Sequence, residues 1–425
     1  MSTLSSLKEF IKSSPTPFHT VSTIKNILLA AGYTEVSERD SAAYSDGGRH
    51  FAVKNDSSII AFRGSTDNGG FMITAAHSDT PAFKVKESTA SGAYAKLLTE
   101  RYGGMILYSW LDRPLSIAGR VMLRTKDGVK SALVNIDRDV AVIPSVAIHM
   151  NRTVNEGYKF NPAIDMLPLV SLGTKTVAEL IAPTLDTTPD SILTHDLFLY
   201  NRDESRTVGM GGEFILSPRL DDLACVYSAL TAFLAASETD RSVSVLAVFD
   251  NEEIGSDTKQ GAASTFLADT LRHIAASDAR YAAMLADSFI VSADNAHAKH
   301  PNHPELSDSL NAPVLGGGSV IKYNANQKYA TDAISDAIFR LAAERAGQTV
   351  QSYSNRADLP GGSTLGSIAD TRVSVATVDV GIPQLAMHSA SELVALSDLD
   401  NMIAILTELY SSGISMADSE IRLVK

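Results

Sequence analysis

Four apolar runs of strand length each lead into carboxylate or imidazole side chains. Residues 71–76 run into His77-Ser78-Asp79, and residues 243–249 into Asp250-Asn251-Glu252-Glu253. Residues 289–293 run into Asp294-Asn295-Ala296-His297, and residues 373–380, through 381–387, into His388. A further run of strand character spans 58–62, and apolar residues recur at helical spacing over 220–236 and 329–346. Strands alternating with helices point to an α/β domain with a largely parallel, buried sheet. In such sheets ligands bind beyond the carboxyl ends of the strands. Groups far apart in sequence are therefore expected to meet at one sheet edge.

The middle of the chain has another texture. Between about residues 87 and 200 short β-like runs dominate, such as 105–110, 119–123 and 132–134, with a turn signal at Lys126-Asp127-Gly128. At 425 residues the chain is long enough for two or three domains. The expected division is 1–86 and 201–425 as two parts of one α/β domain, with 87–200 as a β-rich insertion.

Taken singly, each polar group has a plain structural explanation: a cap, a solvated loop pair, a strand-end histidine. Their coincidence at strand ends is what points to one site. Ser217-Pro218-Arg219-Leu220-Asp221-Asp222 opens a helical pattern, and two adjacent Asp residues allow one to cap while the other binds. Asp79, two residues from His77, shares its face if the strand continues, and is suited to orient the imidazole. Adjacent Glu252 and Glu253 would point opposite ways in an extended segment, one toward a metal and the other toward a water as general base. Two histidines with several carboxylates suit zinc, manganese or cobalt. A shared carboxylate lets two ions sit roughly 3.5–4 Å apart around an activated water. The pattern is that of a metallohydrolase.

Charge and cysteine content narrow the setting. Lys and Arg total 36 against 49 Asp and Glu, a net charge of −13, which opposes binding to nucleic acid or anionic membranes. The single cysteine, Cys225, excludes an intrachain disulfide and a thiolate zinc finger, and suits a reducing, cytoplasmic compartment. Residues 1–20 read as an amphipathic helix with Leu4, Leu7, Phe10 and Ile11, broken by Pro15 and Pro17, rather than as a signal peptide. No apolar run approaches the length of a membrane span.

The same residues resemble a known family, the aspartyl aminopeptidases of the M18 metallopeptidases. The shared stretches are HSDTP at 77–81, SPRLDDL at 217–223, FDNEEIGS at 249–256, SADNAHAKHPNHPE at 292–305 and QLAMHS at 384–389, with VAIHMNR at 146–152 and VIKYNANQKYA at 320–330. They occur in the family's order across nearly the whole chain. The resemblance implies that His77, Asp221 and Asp294 hold one divalent ion. Asp221, Glu253 and His388 would hold a second, with Asp221 bridging. It implies Glu252 as general base and Asp79 as support for His77. It further implies Lys322 in the pocket for an acidic first side chain, and His149 reaching the active site of a neighbouring subunit. The expected fold is an α/β metallo-aminopeptidase domain with a mixed central sheet, interrupted by a β-rich dimerisation domain. The expected assembly is a dimer and a tetrahedral cage of twelve subunits, acting on peptides.

His297, His300 and His303 are expected in loops, around the ligands or at subunit contacts. Gly316-Gly317-Gly318 is expected as a turn, and the loop 356–362 matches the family only in part. Two other readings stay open. A related two-metal carboxypeptidase or deacylase would need an arginine for a substrate carboxylate, with Arg219 and Arg356 as candidates. A non-catalytic shell would have no use for an intact base and ligand set.

Overall fold

The computed structural model describes residues 3–45, 47–64, 69–359, 361–417 and 420–425. Its centre is a nine-stranded mixed sheet in the order Thr34–Glu35, Arg49–Lys54, Ser58–Arg63, Ser242–Phe249, Gly70–His77, Phe289–Ala293, Ala376–Gly381, Ser319–Tyr323 and Val350–Ser354. The four strands from Ser242–Phe249 to Ala376–Gly381 are mutually parallel. Every residue of Gly70–His77 and Ser242–Phe249 is buried. That is why these strands read as continuous apolar runs rather than as alternations.

Helices cover both faces. Leu220–Ala235 and Leu396–Tyr410 pack on one side, with Phe233 and Tyr410 edge to face at 5.4 Å. Phe266–Ala275 and Asp278–Ala286 pack on the other. The N-terminal amphipathic pattern forms Thr3–Ser13 and buries Leu7, Phe10 and Ile11, and Pro17 opens the next helix, Pro17–Ala30. Met1 and Ser2 lie outside the described residues. Among the described residues, no helix is long and apolar enough to cross a membrane.

The β-like runs of the middle segment form a six-stranded antiparallel sheet. Its order is Val129–Asn135, Leu115–Arg124, Ile192–Asn201, Ala82–Ser91, Tyr94–Tyr102 and Leu169–Leu172. Lys126-Asp127-Gly128 makes the expected hairpin turn, closed by Thr125 N–H donating to Gly128 O at 3.0 Å. Phe83, Leu97, Trp110, Ile117, Leu197 and Leu199 form its own core. Two strand readings need correction. Residues 105–110 hold a 3₁₀ turn, Leu107–Trp110, which buries Trp110 against Phe83. The run 373–380 is strand only from Ala376, because Val373 ends the helix Leu365–Arg372.

A small five-stranded sheet links the segments that end in polar groups. Its order is Arg206–Val208, Phe214–Ser217, Glu392–Ala395, Pro383–Leu385 and Ala296–His297. It fixes the chain just before Asp221, just after Asp294 and on both sides of His388. Gly381 allows one close crossing, since a Cβ there would stand 2.2 Å from Asp294 O. The triple glycine forms a turn with φ of 79° at Gly316 and 93° at Gly318, and both amides donate to Asp398.

Candidate metal centre

His77 closes the Gly70–His77 strand at the sheet edge and is buried. Its Nδ1 lies 3.0 Å from Asp79 O and 3.4 Å from Asp79 Oδ1. A carbonyl only accepts, so Nδ1 carries a proton and Nε2 is the nitrogen left to meet a metal. His388 repeats the arrangement from another segment, with Nδ1 donating to Gly104 O at 2.6 Å. Both free nitrogens turn toward one carboxylate. His77 Nε2 is 3.5 Å from Asp221 Oδ1, and His388 Nε2 is 3.4 Å from Asp221 Oδ2. Glu253 Oε2 lies 3.5 Å from His388 Nε2.

Two groups of metal-binding side chains result, sharing Asp221: His77, Asp221, Asp222 and Asp294, and Asp221, Glu253 and His388. Asp222 has one oxygen engaged, since Oδ2 accepts His77 N–H at 3.2 Å. The strand does not continue through Asp79, and the two glutamates are not in an extended segment. They occupy a single 3₁₀ turn, Glu252–Ile254, between Asn251 (φ 65°) and Gly255 (φ 98°). Asp79 holds that turn, because its oxygens accept Glu252 N–H at 3.1 Å and Glu253 N–H at 3.2 Å.

The electrostatics ask for a cation. Burial pushes the Asp222 and Glu253 carboxyls well above the usual range. Burial also raises Asp294, although Lys322 opposes it. Burial lifts Glu252 to about 8, with Asp294, Asp79 and Asp221 adding to the rise and His77 opposing it. Burial disfavours the His388 imidazolium, but Asp221 and Glu253 outweigh it and raise the group to about 10. Burial likewise opposes the His77 imidazolium, and Asp222, Asp221 and Asp79 overcome it. Asp221 Oδ1, Asp222 Oδ1 and Glu253 Oε1 are buried without a hydrogen-bond donor. Unpaired buried carboxylates are costly unless a charge of opposite sign joins them. Oxygen and imidazole donors at this density fit divalent zinc.

The remaining candidates fall around this centre. Lys322 is buried beside it, donating to Asn295 O at 3.2 Å and standing 3.6 Å from Asp294 Oδ1. His149 is exposed in the β-rich segment and belongs to neither ligand group among the described residues. His297, His300 and His303 lie outside both groups as well. Both arginines already bind other groups. Arg219 donates to Asn201 O and Ile11 O and lies over the Tyr200 ring, while Arg356 binds Asp358 and Glu305 O. Pro360, in the loop after Arg356, is outside the described residues.

Sequence reasoning missed the groups that aim the ligands. Tyr102 donates its hydroxyl to Asp79 Oδ2 at 2.7 Å, and the Gly104 carbonyl accepts the His388 Nδ1–H hydrogen bond. A lone tyrosine and a backbone carbonyl leave no sequence signal. Glu392 was missed too. Its only signal is its place four residues after His388.

Comparison with known proteins gives the family. The family model of Aminopeptidase I zinc metalloproteases (M18) matches residues 10–410. A probable M18 family aminopeptidase 2 of Clostridium acetobutylicum is 43% identical over 410 residues, covering 92% of this chain and 94% of that protein. The fold is similar to a chain in the cryo-EM structure of the Ape4 and Nbr1 complex. That match has a TM-score of 0.91 at 33% identity, over 96% of this chain and 85% of that one. It is also similar to the S. cerevisiae mApe1 dodecamer, with a TM-score of 0.83 at 25% identity over 96% of this chain and 95% of that one. With a whole-length family match around a buried histidine–carboxylate centre, the chain belongs to the M18 family of zinc metallo-aminopeptidases.

Proposed function

We propose that this chain removes the first residue of peptides at a centre of two divalent ions, with acidic first residues preferred. The observation that carries it is Asp221, whose two oxygens each face the free nitrogen of a different histidine. His77, Asp221 and Asp294 would hold one ion, and Asp221, Glu253 and His388 the other. When bound, such ions lower the pKa of a water and polarise the scissile carbonyl. Glu252, a neighbour of that set without a histidine partner of its own, takes the proton of the attacking water and returns it to the leaving amine. Asp79 keeps Glu252 and Glu253 in register through their backbone amides. The engaged state of Arg219 and Arg356 speaks against a carboxypeptidase. Zinc is the expected metal, with manganese or cobalt as substitutes.

Lys322 supports the acidic preference. Its ammonium has three donors, of which Asn295 O takes one and Asp294 faces another. The ammonium also lies over the Tyr329 ring at 5.4 Å; in this reading a substrate carboxylate takes its third donor, and a local cation is what an acidic substrate requires on a chain of net charge −13. A panel of peptides beginning with Asp, Glu, Ala or Leu, each free and N-acetylated, tests the reading. Cleavage is expected only of free amines, fastest after Asp and Glu. Lys322→Ala should lower kcat/KM for acidic first residues at least about tenfold, in line with a charged hydrogen bond of about 1.5–3 kcal/mol. Neutral substrates should fall less, since Asp294 also loses its partner. A parent preference for Leu, or equal slowing of Asp and Leu peptides, would remove Lys322 as selector.

The β-rich segment 87–200 is proposed as the self-association unit, building the dimer and the tetrahedral dodecamer. Val146, Ile148 and Met150 are exposed around His149, and Ile164 and Leu172 are exposed in the same unit. Apolar side chains standing in water suit a second copy as partner. His149 would then enter the neighbour's active site, and the centre would act as a shared one.

A further inference from the structure

Glu392 touches no candidate metal ligand through that ligand's side chain, yet it grips two of them by the backbone. Its Oε2 accepts Asp221 N–H at 3.0 Å and its Oε1 accepts His388 N–H at 2.8 Å. The residue is 1% exposed and opens the strand Glu392–Ala395, with Ser217 as its pairing partner. The same short strand pair therefore holds the carboxylate and delivers the chain to Asp221. His388 itself sits in the left-handed region at φ 64°, where a non-glycine residue needs its surroundings to hold it.

Satisfying two amides does not call for a carboxylate, since neutral carbonyls do that throughout the fold. A further carboxyl here adds to six already gathered, those of Asp79, Asp221, Asp222, Asp294, Glu252 and Glu253. Such a placement is unfavourable unless a compensating cation is close. Two N–H···O bonds to one planar group do what separate acceptors cannot: they tie two backbones, 167 positions apart in sequence, to one reference.

We infer that Glu392 is a positioning residue for the metal centre, a backbone clamp that sets the bridging Asp221 and His388 relative to each other. The inference rests on the two-ion reading. It makes an asymmetric prediction. The group Asp221, Glu253 and His388 has two of its three members held by Glu392, whereas the group containing His77 and Asp294 shares only Asp221. Loss of the clamp therefore loosens one ion far more than the other.

The test is a zinc titration of the full chain against a chromophoric chelator, repeated with cobalt(II) and its visible spectrum, for the parent and Glu392→Gln. Glutamine keeps the shape but offers one acceptor, and turns an N–H donor toward the other amide. The parent should bind two ions per chain. Glu392→Gln should keep one at parent affinity and bind the other about 10- to 100-fold more weakly, the usual cost of losing a group that orients a ligand. Excess metal should restore the second ion, and the Tm of the metal-free variant should stay close to that of the metal-free parent. Two ions at parent affinity in Glu392→Gln overturn the clamp. So does a fall in metal-free Tm with unchanged affinity per folded chain, which is a purely structural role. A parent that binds one ion removes the two-ion reading itself. Should Glu392→Gln not fold, Glu392→Asp keeps the charge, draws the carboxylate back by one methylene, and is read in the same titration.

Discussion

The parallel centre of the α/β domain and the β-rich segment contribute to the same site in opposite currencies. The α/β part supplies every charged group: His77, Asp221, Asp222, Glu252, Glu253, Asp294, Lys322 and His388 all stand on it or on the small sheet beside it. The β-rich part supplies neutral groups, the Tyr102 hydroxyl on Asp79, the Gly104 carbonyl on His388 and the Ser109 hydroxyl on Ala390 N–H. Gly103 packs against Glu253, where a Cβ would come within 3.2 Å of its side chain. One region thus gathers the charged groups, and the other adds neutral hydrogen bonds that help to aim them. A segment that joins copies of the chain would then also steady each site from within its own subunit.

The comparison can be broken first at Glu252. Glu252→Gln removes a base from the α/β side and leaves its backbone amide on Asp79. It is expected to lower kcat by about 10²–10⁴-fold with both ions retained. Metal analysis alongside steady-state rates checks this, and parent-like turnover would end the assignment. A smaller effect is expected from Tyr102→Phe, on the β-rich side. That change takes one donor from Asp79 and one acceptor from Asn251 Nδ2. A loss of about 10- to 100-fold in kcat/KM is expected, as for other groups that orient a site from behind. Equal rates in Tyr102→Phe and parent would confine the β-rich segment to assembly. Smallest is the effect of Met150→Ser on the chain's own stability, within about 0.5 kcal/mol, because Met150 is 78% exposed. Its particle size by light scattering should nonetheless fall, and activity per chain with it. Fully active monomers would show that His149 is not shared between subunits.

Much of this was readable in the sequence because the relevant physics is local. Strands buried on both faces in a parallel sheet must be apolar along their length, so 243–249 and 289–293 announced themselves, and the polar groups after them marked the sheet edge. Where a structure depends on one residue's φ, the reading went astray. Asn251 at φ 65° folds Glu252 and Glu253 into a turn rather than a strand end, and nothing in the letters N-E-E requires that.

The sequence by itself determined which side chains can hold a cation: two histidines and a set of carboxylates, each at the end of a buried element. Ligand chemistry is a property of residue type, and strand-end placement is a property of pattern. Only the tertiary structure decided how they are aimed. The tautomers of His77 and His388 depend on the Asp79 and Gly104 carbonyls, and the register of Asp221 with His388 depends on Glu392. All four hydrogen bonds use a backbone group, and two of them, His388 to the Gly104 carbonyl and Asp221 N–H to Glu392, join segments far apart in sequence. A backbone N–H or C=O is the same at nearly every residue, so a sequence carries no mark of which one will be used until the chain has folded.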